Sequence, residues 1–170
     1  MKELAQLLNE MLAAGAIENY ALFGAVAQLR YTEPVASVDA DLLIAIPSQK
    51  GLDILKGVYE FCSKKGFQPE GEAIKVGAWP VQFIPVFSPL TQEAMEQAET
   101  ADFEGVPLRV VRADYLAVIA LSVGRPKDLT RILALLESSS VKQGDIKSLA
   151  GRFDLSEAWQ WFEKKFFNEK

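Results

Sequence analysis

The 170-residue sequence contains no histidine. Ser-His-Asp catalysis, imidazole zinc sites and histidine general bases are therefore excluded within this chain. Cysteine is almost missing as well: the lone Cys62 forms no internal disulfide, which fits a reducing compartment. No run of about 18 uncharged apolar residues occurs, so no membrane-spanning helix is expected. The start, Met1-Lys2-Glu3-Leu4-Ala5-Gln6, lacks a signal-peptide core, so a cytoplasmic location without a membrane partner is expected. Positive charge is short too. Eighteen Lys and Arg against 23 Asp and Glu leave a net charge of −5, which argues against tight clamping of a nucleic-acid duplex. Any catalysis must run on carboxylates, hydroxyls, lysines or a hard metal ion.

The sequence does hold ample core material, with 49% hydrophobic residues. Leu4, Leu7, Leu8, Met11 and Leu12 recur at helical spacing over 2–14, with Gly15 as a stop. Tyr20–Phe23 reads as a short strand or a tight turn into the next helix, and Gly24 to Leu29 as a helix broken by Thr32-Glu33-Pro34. Asp41–Ile46 is nearly continuous apolar sequence, the pattern of a strand buried on both faces. A helix over 52–65, a hairpin of 72–76 with 81–87, a helix over 91–99 and a strand over 106–111 follow. Helices are expected over 113–123, through Leu129–Leu136, and in the aromatic tail after Gly151. The pattern predicts an α/β (α+β) class, a mixed sheet flanked by helices. Residues 1–112 would form the α/β core and 113–170 a helical part packed on it.

Chemistry concentrates at Ser37-Val38-Asp39-Ala40-Asp41, at the mouth of that buried strand. Two carboxylates at i and i+2 of an extended segment project to one side. Their repulsion falls when a divalent cation bridges them, and such hard oxygen ligands suit Mg²⁺. An isolated Asp-x-Asp is more often a solvated turn. Fifteen residues before Asp39, however, Phe23-Gly24-Ala25-Val26-Ala27 reads as a strand-to-helix turn of small residues, where a ligand can approach the backbone.

Gly24, Ala27, Tyr31, Ser37, Asp39 and Asp41, followed by the Leu42–Ile46 run, resemble the nucleotidyltransferase superfamily. The closest likeness is to its small bacterial branch related to abortive-infection and toxin–antitoxin proteins. The resemblance implies a nucleotidyltransferase-like sheet. Asp39 and Asp41 would be the catalytic pair holding Mg²⁺, and Gly24, Ala25 and Ser37 would face the phosphates of a nucleoside triphosphate. Downstream, Gly124-Arg125-Pro126-Lys127-Asp128-Leu129-Thr130-Arg131 looks like the family's Arg-x-Lys-Asp element, so Arg125 and Lys127 would contact the nucleotide; the alternative is a helix cap with Lys127 and Arg131 paired to nearby acids. The likeness spans roughly residues 20–137.

The departures are specific. Ala25 stands for a second glycine of the turn, Val35 for a frequent arginine, and Gln82 for a third carboxylate. In the family that acid is the plausible general base, and glutamine cannot take the proton. Glu70 and Glu72 are candidate substitutes. Three readings stay open. In the first, the chain binds Mg²⁺ and a nucleoside triphosphate and transfers a nucleotidyl group to a hydroxyl on a protein, RNA or small molecule. In the second, it is a degenerate member acting as a binding or regulatory partner, as in a toxin–antitoxin-type system. In the third, Trp161, Phe166 and Phe167 dock a partner or a second copy of the chain. Trp159 and Cys62 read as core.

Overall fold

The computed structural model describes residues 1–33, 39–47 and 54–168. Among them, eight helices flank one seven-stranded mixed sheet. The first helix, α1 (Lys2–Ala13), buries Leu4, Leu7, Leu8 and Met11 along one stripe. Strand β1 (Asn19–Phe23) runs into a short helix, α2 (Gly24–Gln28). Strand β2 (Ala40–Ala45) carries the fully buried Leu42, Leu43 and Ile44. Its continuous apolar sequence follows from its place in the sheet, with a neighbour on each side and cover on both faces.

Beyond β2 come α3 (Lys56–Lys64), β3 (Pro69–Glu70), β4 (Ala73–Val76) and β5 (Trp79–Pro85). The expected helix over 52–65 is thus seen from Lys56; residues 48–53 lie outside those described. A helix α4 (Pro89–Glu96) starts on a reciprocal cap: Ser88 Oγ accepts the Thr91 N–H at 3.2 Å, and Thr91 Oγ1 accepts the Ser88 N–H at 3.1 Å. The helix ends three residues before the expected Glu99. Glu99 instead opens β6 (Glu99–Phe103), which pairs antiparallel with β7 (Val106–Val110). The strand order is β3-β4-β5-β2-β1-β7-β6. β2 pairs antiparallel with β1 and parallel with β5, while β1 pairs parallel with β7.

Four helices follow: α5 (Ala113–Val123), α6 (Pro126–Glu137), α7 (Gln143–Arg152) and α8 (Ser156–Phe166). Helix α5 is buried along most of its length, and a left-handed Gly124 (φ +71°) ends it. Helix α7 was not anticipated from the sequence. The Glu93 carboxylate of α4 takes the Arg152 guanidinium of α7 at 2.8 and 2.9 Å and the Tyr115 hydroxyl of α5, so one acid ties three helices. Helix α8 turns Trp159 and Phe162 inward, stacked at 5.3 Å, and leaves Trp161 half exposed. Cys62 is fully buried, and burial pushes its thiol up to about 11. No helix among the described residues is long and apolar enough to cross a membrane.

Candidate active site

The site begins where β1 stops. At Gly24 the backbone turns through φ +69°, a left-handed conformation that favours glycine. The antiparallel register sets Phe23 opposite Asp41, which brings the Asp41 carboxylate against the glycine. A Cβ on Gly24 would lie 2.7 Å from Asp41 Oδ2. Glycine is therefore demanded twice, by its own backbone angle and by the acid beside it.

Asp39 and Asp41 flank the buried Ala40, and the two-residue period of the strand puts both carboxylates on the same side. On the other flank, the parallel register sets Gln82 of β5 opposite Asp41. Its Nε2 donates to Asp39 Oδ2 at 3.4 Å, a long hydrogen bond. These groups line a cleft of about 770 Å³. The facing wall is apolar, built from Leu116, Ile119, Ala120 and Val123 of α5. The lining also carries three cations: Arg125 and Lys127, at the start of α6, and Arg131 one turn later.

The Asp41 carboxyl is pushed above its ordinary range. Burial is the main cause, the Asp39 charge adds to it, and Arg131, Lys127 and Arg125 pull the other way. The acids and the cations thus sense one another across the cleft. Arg125 and Arg131 also share a carboxylate. Asp128 accepts Arg125 Nε at 2.7 Å and Arg131 Nη1 at 3.4 Å.

Of the residues singled out in the sequence, Gly24, Ala25, Asp39, Asp41, Arg125 and Lys127 all line this cleft, and so does Gln82. Ser37 and Val35 lie outside the described residues. Ala27 is buried core, and the Tyr31 hydroxyl donates to the Val111 carbonyl at 3.0 Å; neither lines the cleft. Glu70 and Glu72 are not substitutes for the missing acid. Glu70 sits exposed on the edge strand β3, separated from β2 by β4 and β5, and Glu72 lies in the exposed turn after it. Among the described residues no group of three or more acidic, histidine or cysteine side chains is placed to hold a metal. The Asp39–Asp41 pair nonetheless fits one hard divalent cation: two oxygen donors on one side of a strand, with a charge stress that such an ion would relieve. Sequence reasoning missed Asp128 and Arg131 as parts of the site, and also the apolar α5 wall. The residues around Asp128 were legible as a helix start, but its burial against two arginines is a tertiary fact.

No protein-family model matches the chain, and no curated protein matches it. Among solved structures, the chain is similar to an antigenic nucleotidyltransferase-like protein from Paracoccidioides brasiliensis. The identity is 15% and the TM-score 0.59, over 94% of this chain and 93% of that one. It is also similar to the antibiotic-resistance factor ANT(2'')-Ia, at 15% identity and TM-score 0.47 over 97% of each chain. A third similarity, to the Megavirus polyadenylate synthase, has 12% identity and TM-score 0.48 over 81% of this chain and 31% of that one. The first of these shows the fold. The chain has a nucleotidyltransferase-like α/β architecture, as expected from its sequence.

Proposed function

We propose that the cleft binds a nucleoside triphosphate together with Mg²⁺. The observation that carries this reading is the meeting of two carboxylates and three cationic side chains in one cleft large enough for a nucleotide. Asp39 and Asp41 hold the ion, and Arg125 and Lys127 meet phosphate oxygens. Gly24 keeps the chain clear of Asp41, and a phosphate contact from Ser37 is what the family resemblance implies. Bound there, Mg²⁺ would neutralise phosphate charge and relieve the repulsion between the two acids.

Transfer to an acceptor hydroxyl, on a protein, RNA or small molecule, needs a group that takes the hydroxyl proton. Gln82 occupies the sheet position opposite Asp41, and its amide donates to Asp39 instead of accepting a proton. That observation favours a second reading, in which the chain binds nucleotide with little or no turnover. It would then act as a regulatory partner, as in toxin–antitoxin-type systems. The test of the binding reading is calorimetric titration of Mg²⁺-ATP and the other triphosphates into the full chain and into the Asp39→Asn/Asp41→Asn variant. Binding by the wild type that is lost in the variant is expected. Equal affinities would end the metal-site assignment.

A further inference from the structure

We infer that Asp128 is a positioning residue that presents Arg125 and Arg131 to the cleft, and that Arg131 belongs with the anion-contacting groups. This rests on the nucleotide reading above.

The side chain of Asp128 is only 2% exposed. A buried carboxylate is expensive unless its lone pairs are used by donors. Here they are used by four: the Arg125 backbone N–H at 3.2 Å, Arg125 Nε at 2.7 Å, Arg125 Nη2 at 3.3 Å and Arg131 Nη1 at 3.4 Å. The first of these is the N3-to-N-cap half of a capping box, which a neutral acceptor can supply, as Thr91 does for Ser88 in α4. The other three engage guanidiniums, and they are what the ionised acid adds.

Each guanidinium carries five N–H donors, so both keep donors beyond those given to Asp128. The Arg125 side chain is 54% exposed and that of Arg131 21%, and both line the cleft. Two long, flexible side chains are thus held in place before an anion arrives, which removes part of the ordering cost of binding.

The test uses the full chain and calorimetric titration with Mg²⁺-ATP and with Mg²⁺-tripolyphosphate, each at several salt concentrations. Asp128→Asn keeps a helix-start acceptor and removes the charge. Both ligands should bind about tenfold more weakly to it, although the substitution makes the cleft more positive. Asp128→Glu should recover part of the loss. Arg131→Gln should show the same weakening together with a flatter dependence of affinity on salt, because it removes a cation from the cleft, and it decides the matter if Asp128→Asn does not fold. Unchanged or tighter binding in either variant, or weakening in Arg131→Gln with an unchanged salt dependence, overturns the inference while the nucleotide reading stands. Failure of the wild-type chain to bind either ligand overturns the nucleotide reading itself, and this inference with it.

Discussion

Replacing Gly24 by alanine separates two effects that meet at one atom. The residue sits at φ +69°, where a β-carbon costs roughly 1–2 kcal/mol. The new methyl would also lie 2.7 Å from Asp41 Oδ2, so the half-buried carboxylate must swing off its preferred rotamer. That displacement costs on the order of 1 kcal/mol. Together these come to about 2–3 kcal/mol, which for a chain of this length lowers the melting temperature by about 5–10 °C. Thermal unfolding followed by circular dichroism, without divalent ions, measures it. In an Asp41→Ala background the contact is gone but the backbone angle is not, so the same glycine replacement should cost about 1 kcal/mol less. A melting point within about 1 °C of wild type would refute the strain at Gly24 altogether. Identical losses in the two backgrounds would refute the contact with Asp41.

Other expectations follow from the same geometry. Gln82→Asp places a proton acceptor opposite Asp41; label transfer from radiolabelled triphosphate should rise over wild type, and no change would show that Gln82 is not what withholds transfer. The Asp41 carboxyl is raised in the folded chain, so folding binds protons there, and its destabilising charge is felt as pH rises from about 3.9 upward. Without divalent ions, Asp41→Asn should therefore melt higher than wild type at neutral pH and lose that advantage in acid; an advantage independent of pH contradicts the burial and repulsion described. Cys62 is buried with its thiol raised to about 11, so a thiol reagent should modify it only as fast as the chain opens. Rapid modification under native conditions would show that the Cys62 face of α3 is not packed against the core.

The parts of the fold that bury apolar sequence were legible, and the exposed parts were not. Asp41–Ile46 announced β2, because a central strand needs apolar side chains on both faces. Strand β6, Glu-Thr-Ala-Asp-Phe, lies at the sheet edge with no fully buried position; only Ala101 and Phe103 turn inward, an alternation too short to stand out, so its Glu99 read as the end of an acidic helix. Helix α7 contains two glycines and buries only Ile146, Leu149 and Ala150, a stripe too thin to stand out. At the site, the two-residue period told that Asp39 and Asp41 share a side. That Gln82 faces Asp41 depends on a parallel pairing between strands separated by a helix and a hairpin, and local pattern carries no register for such pairs. The roles of Asp128 and Arg131 needed the packing of α6 against the cleft.

The most direct measurement is water-proton relaxation with Mn²⁺ in place of Mg²⁺, in the presence of ATP. An ion held by Asp39 and Asp41 tumbles with the whole chain, so the wild type should enhance relaxation well above Mn²⁺-ATP alone, and Asp39→Asn/Asp41→Asn should not. Equal relaxation with the two proteins, enhanced or not, would contradict a divalent ion and nucleotide gathered at the acid pair.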